Sequence, residues 1–228
     1  MAIGKTDVVN LALSLVGAAK IDAITDNTKA ARLASSLFET SYRSTAELPH
    51  NWKFLTARTE LAELDEPLFG SYDYQFLLPN KVLRVIAQVS EDSDDIEYDW
   101  RREVYVNTDN EEFDVLLTNE STCFIRYIRD RGTNEAIAKW PGWFANLVAL
   151  NLAIILVEPL KQDKVKKNQL LAMLTDPSRG WLTIAIQTNG LEDVDVDSNG
   201  VPLDKGNNDV LNASLSASTK RKYIQTRE

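Results

Sequence analysis

Apolar residues recur along the chain first at helical spacing, then in alternation, then at helical spacing again. Over residues 6–16, Val8, Leu11, Ala12, Leu15 and Val16 share one face, Val9 and Leu13 flank it, and Gly17 follows as a left-handed stop. This pattern predicts a mostly buried first helix. The connector KIDAITDNTKAAR ends in Asp26, Asn27 and Thr28, any of which can accept the free N–H groups of the next helix. Within residues 28–47, Ala30, Leu33, Ala34, Leu37, Phe38 and Tyr42 fall three or four apart, so a second, amphipathic helix is expected there. Pro49 disfavours helical geometry at Leu48 and closes it.

Between residues 52 and 130 helical spacing disappears. DYQFLL (73–78), KVLRVIAQV (81–89), DIEYDW (95–100), EVYVN (103–107), FDVLL (113–117) and TCFIRYIRD (122–130) are short runs rich in β-branched and aromatic residues, and they read as strands. Turn and acidic residues separate them, and their lengths suit an antiparallel meander or small sandwich. Helical texture then returns. WPGWFANLVALNLAIILVEPL predicts a third helix over 141–158, apolar nearly all round and therefore interior. A fourth is expected over 161–175. Asp176-Pro177 reads as the cap and first position of a further helix, or of the same helix after a kink, over 178–188.

After Asn189-Gly190 the apolar residues are too sparse to offset chain entropy, so residues 191–228 read as a tail that orders only against a partner. The expected class is α+β: an antiparallel helical bundle of about four helices with a β-rich insertion and an extended C-terminal tail. Residues 1–51 and 131–190 would form the bundle, 52–130 the insertion and 191–228 the tail.

Charge narrows the functional classes. The formal net charge is −9 and the pI about 4.8. A protein that coats nucleic acid needs a basic stripe to displace counterions, so no tight nucleic-acid binding is expected. Like-charge repulsion still lets DNA pass nearby without sticking. The one cysteine, Cys123, can form neither an intrachain disulfide nor a cysteine-based zinc site, which fits folding in a reducing compartment. Asp7 and Asn10 interrupt the apolar start, so no secretory leader is expected. The apolar run 143–157 holds Asn146 and Asn151 and is too short and polar to cross a bilayer, so no membrane partner is expected.

Candidate chemistry centres on LPHNWKF, residues 48–54, where the only histidine, His50, sits beside Trp52. As a catalytic base His50 would need an orienting acid and a nucleophile. Ser44 and Glu47 are near in sequence but complete no recognised motif. A structural role is expected instead, with Pro49, Trp52 and Phe54 anchoring the next segment to the bundle. Cys123 reads as a small core residue. Asp195, Asp197, Asn199 and Gly200 begin like a calcium loop, but Gly206 stands where the closing Glu belongs, so a solvated acidic turn is expected. The acid-rich stretches 91–99 and 111–114 read as loop tips, without the cleft a pair of glycosidase carboxylates requires. No catalytic residue, metal ligand or cofactor is assigned, and the chain is not expected to be an enzyme.

Four segments carry a family likeness. VVNLALSLVGAAKIDAITDNTKAARLASSLFETSYRSTAE resembles the helix, glycine, connector and K-A-A-R second helix of the head-to-tail adaptors of short-tailed bacteriophages, the tail tubular protein A-like family. LPHNWKFLTARTEL is similar to that family's H-P-W-N-F-A-x-x-R signature, with Pro-His-Asn-Trp in place of His-Pro-Trp. YQFLLPNKVLRV resembles its Y-x-L-P-x-x-x-L-R-V strand pair, and WPGWFANLVALNLAIILVEPL its third-helix start. The likeness spans most of residues 6–190. It implies a structural virion protein forming a dodecameric ring under the portal protein, offering a docking surface to a tail nozzle or tail tube protein, with a lumen for DNA. It implies no cofactor, and it places the chain in the virion neck or tail, with assembly in the host cytoplasm. The rival readings are a tail-associated cell-wall hydrolase and a cytosolic regulatory module.

The tail changes sign along its length. Six acids face one base, Lys205, over residues 191–209, whereas Lys220, Arg221, Lys222 and Arg227 mark the end. Apolar residues for pockets and basic ones for an acidic rim suit a docking arm. Its expected contacts with the portal or a neighbouring adaptor are Leu211, Leu215, Lys220, Arg221, Lys222, Tyr223 and Ile224.

Overall fold

The computed structural model describes residues 3–64, 70–91 and 97–191. The first helix, α1 (Lys5–Val16), starts at Gly4, whose N–H donates to the Asp7 carboxylate at 2.8 Å, and ends at Gly17 with φ 77°. Asn10 ties down the connector that follows: its amide accepts from Ile21 N and donates to Ile21 O, both at 2.9 Å. Thr28 caps α2 (Lys29–Ala46) by accepting the N–H of Ala31 at 3.1 Å.

After one 3₁₀ turn at Lys53–Leu55 come β1 (Thr56–Glu60), β2 (Tyr74–Leu77), β3 (Val82–Val89), β4 (Trp100–Val106), β5 (Glu112–Thr118) and β6 (Phe124–Arg129). Helices resume with α3 (Asn134–Ile137), α4 (Gly142–Lys161), α5 (Lys164–Thr175) and α6 (Trp181–Leu191). Residues up to Ala185 form one compact unit, and a second begins at Ile186, within α6.

The helix α4 is the axis of the helical part. It packs against α1, α2 and α5, and it is buried on nearly every face between Phe144 and Val157. Polar pins fix it to α2: Ser41 Oγ donates to Val148 O at 2.9 Å, and Asn151 Nδ2 to Thr45 Oγ1 at 2.7 Å. Ser41 and Thr45 are fully buried, so these bonds satisfy groups that would otherwise cost free energy. The helix runs three residues past its expected end at 158. Pro159 removes one backbone hydrogen bond, yet the helix closes only where Gln162, at φ 53°, donates its N–H to Val157 and Glu158. At twenty residues α4 is long and apolar enough to cross a membrane, contrary to the expectation for 143–157, but most of it is buried inside the protein, as in a core helix.

The β segments form two antiparallel three-stranded sheets, ordered β1-β6-β3 and β2-β5-β4. A shared apolar core joins them, with Val85, Ile125 and Tyr127 from the first meeting Phe76 and Leu116 from the second. Cys123 is buried in this core, and burial pushes its thiol up to about 12.

The expected architecture is therefore corrected. The described residues hold six helices and two substantial sheets with a core of their own, rather than a four-helix bundle with an insertion. The mixed α+β class stands. Three causes account for the difference. The helix α3 is a single turn, too short to show a period. The strand β1, TARTE, has no apolar alternation and exists because it pairs with β6 across some 70 residues of sequence, from Thr56↔Ile128 to Glu60↔Phe124. Of the expected strand 95–100 only Trp100 joins a strand, β4, which runs on through the expected 103–107 as far as Val106. This strand pairs with β5 without a break from Trp100↔Thr118 to Val106↔Glu112. Glu97 makes only an isolated bridge to Val89, and residues 95–96 lie outside the described residues.

The helix expected over 178–188 begins later, at Trp181. Asp176 caps a separate turn, its carboxylate accepting Ser178 N at 2.7 Å and Arg179 N at 2.9 Å, and these donations lower its pKa. Only glycine fits at Gly180, where a Cβ would lie 2.5 Å from Asp176 O.

Candidate functional site

The segment singled out from sequence, 48–54, lies where α2 hands the chain to β1. Glu47 caps α2, Pro49 stands exposed in the turn that follows, and the 3₁₀ turn begins just after Trp52. Trp52 is 0 % exposed, and its indole Nε1 donates to Thr45 O at 2.9 Å. A buried indole needs such a partner, and the last turn of α2 supplies it.

Around Trp52 the aromatic rings form a continuous ladder. Trp52 meets Trp143 at 5.4 Å and Phe144 edge-on at 5.8 Å. The half-buried Phe54 reaches the same two rings, at 5.6 and 4.6 Å. Phe144 stands edge-on to Trp140 at 5.1 Å, and Trp140 stacks on Tyr42 at 5.2 Å and on Phe38 at 6.3 Å. These spacings match the favourable range for aromatic pairs.

The ladder also holds the chain where it leaves the sheets. The Tyr42 hydroxyl accepts Arg131 N at 2.6 Å, and Trp140 Nε1 donates to Arg131 O at 3.0 Å. Gly132 passes so close that a Cβ would lie 2.8 Å from the Tyr42 ring. Arg43 adds an ion pair to Asp130 at 3.2 Å. Burial is the main cause of the raised pKa of Tyr42, which keeps the phenol protonated and neutral. Both the entry to the β region, at 52–54, and its exit, at 130–132, are thus pinned to one aromatic cluster between α2 and α4.

His50 is half-buried at the edge of this cluster, its ring 4.5 Å from Trp52 and edge-on at 71°. Arg84 on β3 donates through Nη2 to His50 O at 3.1 Å and to Asn51 Oδ1 at 3.0 Å. Burial, then the charges of Lys53 and Arg84, hold the imidazole below its ordinary pKa. The two residues nearest in sequence that could complete a catalytic set have other partners. Ser44 Oγ donates to Ser41 O at 2.9 Å, and the Glu47 carboxylate lies 3.6 Å from Arg43. The arrangement binds a helix end to a sheet through Arg84 and the His50–Trp52 contact.

Among the described residues, no group of three His, Cys, Asp or Glu side chains could hold a metal ion. The calcium-like turn 195–200 and the docking residues Leu211, Leu215, Lys220, Arg221, Lys222, Tyr223 and Ile224 lie outside the described residues.

Sequence reading picked out Trp52 and Phe54 but not Tyr42, Trp140, Trp143 and Phe144, which complete the ladder. The available signal was local density: WPGWF packs three aromatics into five residues, in a chain that is 8 % aromatic. Comparison with known proteins adds no assignment: no family model matches the chain, and no curated protein matches it significantly.

Proposed function

We propose that this chain is a structural virion protein, a ring-forming head-to-tail adaptor of the tail tubular protein A-like kind. Copies of it would sit beneath the portal, receive the next tail component and leave a lumen for DNA. The reading rests on the ordered likeness of four segments, and one observation carries it further. Two of those segments, LPHNWKFLTARTEL and WPGWFANLVALNLAIILVEPL, stand about 90 residues apart in sequence and meet in one aromatic cluster through Trp52, Phe54, Trp143 and Phe144. Motifs that close on each other in this way behave as a single architectural unit, which is what a structural protein requires of them.

The net charge of −9 suits a wall that DNA slides past. Electron microscopy of negatively stained protein, alone and mixed with a purified portal oligomer, tests the reading. Closed rings in either sample, or portal particles gaining a second ring, are the expected result. A chain that stays monomeric in both overturns it.

A further inference from the structure

The β4–β5 hairpin presents two apolar residues to solvent. Val104 is 58 % exposed and Val106 45 %, and with their cross-strand partners Asp114 and Glu112 they occupy one face of the far half of the hairpin. The strand β4 is also an edge of its sheet. An exposed apolar edge is a liability that folded proteins normally blunt with charge or cover. Here the charges divide. At the base of the hairpin they are paired internally, Arg101 with Glu103 at 3.0 Å and Arg102 with Asp114 at 3.2 Å. Towards the tip, the exposed Asp109, Glu111 and Glu112 make no ion pair among the described residues.

The tip is also a built turn. Asn107 Oδ1 accepts Asp109 N and Glu111 N, each at 2.9 Å, Asn107 Nδ2 donates to Glu111 Oε2 at 2.9 Å, and Asn110 takes φ 61°. A turn held this way loses little freedom on binding.

The complementary surface lies at the corner between α4 and α5. Residues 161–167, KQDKVKK, carry four lysines around Val165, which is 68 % exposed. Lys167 is committed to Glu158 at 2.9 Å, whereas Lys161, Lys164 and Lys166 make no ion pair among the described residues. Glu158, Pro159, Gln162, Asp163, Lys164 and Lys167 line a surface cleft of about 410 Å³ at this corner. One surface is therefore a rigid hairpin tip, apolar with unpaired acids. The other is a cleft with an exposed valine and unpaired lysines. In a chain of net charge −9, a basic patch that meets an acidic one offsets the repulsion between copies and selects that contact.

We infer that the β4–β5 hairpin tip of one copy docks on the α4–α5 corner of the next, and that this head-to-tail contact is the joint of the ring. A contact between two different patches of the same chain is heterologous, and repeating it closes a ring when the rotation allows. The inference rests on the proposed adaptor reading and specifies its joint.

Charge reversal tests it. One variant carries Asp109→Lys, Glu111→Lys and Glu112→Lys; a second carries Lys161→Glu, Lys164→Glu and Lys166→Glu; a third carries both sets. Circular dichroism and thermal melting verify that each is folded, and electron microscopy with the portal oligomer counts complete rings. Each single set should lower ring yield by at least about tenfold, since like charges then face each other. The two single-set proteins mixed together, and the chain with both sets, should recover rings, because each restores opposite charge across the joint. Wild-type yield should fall with added salt. Wild-type rings with full yield from both single-set variants overturn the joint but leave the adaptor reading standing. Loss without recovery in the mixture and in the third variant also overturns the pairing. Wild-type protein that forms no ring overturns the adaptor reading, and the joint with it.

Discussion

Around Trp52 the chain turns its large apolar side chains inward; at the far half of the β4–β5 hairpin it leaves Val104 and Val106 outside. Trp52, Phe38, Tyr42 and Phe144 are fully buried, and the indole and phenol of the ladder each bond to backbone. Val104 and Val106 face solvent on an edge strand, with acids beside them. The first region is interior and decides whether the fold holds together. The second contributes little to the isolated fold and is free to meet another surface. Stability and assembly should therefore be separable by mutation.

Trp52→Ala is the largest break expected. It empties the centre of the ladder and removes the Thr45 bond, so it should cost roughly 3–5 kcal/mol, the usual range for a buried large aromatic. Urea unfolding followed by tryptophan fluorescence of the four remaining indoles measures it. A loss well under 1 kcal/mol would mean that the ladder is not what joins sheet to helix.

His50 gives a smaller, pH-dependent effect. Its folded pKa lies below the ordinary 6.5. Between those two values the unfolded chain binds a proton that the folded protein refuses. The stability contributed by neutral His50 is thus fully present above pH 6.5 and is lost as the pH falls through 6.5 towards the folded value. The melting temperature of the native chain should exceed that of His50→Gln by most above pH 6.5, with the gap narrowing below it. A gap that does not vary with pH would show that His50 titrates alike in both states.

Val104→Thr with Val106→Thr should do least to the fold. Threonine keeps the branched shape and the strand preference, and substitutions at exposed sites usually stay within about 0.5 kcal/mol. The same pair should lower ring yield, because the apolar part of the proposed joint is lost. Unfolding midpoints and ring counts on one preparation check both halves. A large drop in midpoint would place the hairpin among the structural regions and erase the contrast.

Local pattern made much of the molecule legible. The faces of α1 and α2, the Thr28 cap and the Gly17 stop follow from spacing and residue type, and so do the interior character of α4 and the strands β2, β3, β5 and β6. In each case the deciding forces act within a few residues: side-chain period, backbone φ, and capping of free N–H groups. The same reading directed attention to Trp52 and Phe54.

What only the tertiary structure decided is what depends on partners distant in sequence. TARTE becomes β1 because β6 offers it hydrogen bonds, and β4 runs unbroken because β5 lies alongside it. The order β1-β6-β3 beside β2-β5-β4, and the shared core between the sheets, cannot be read from a period that reports only which face a residue occupies. The ladder required α2, residues 52–54 and residues 140–144 to arrive at one place. The sequence alone determined which side chains would seek burial and which stretches would coil or extend. Which of them met was set by long-range packing, where the entropy of closing long loops is offset only when the whole core forms together.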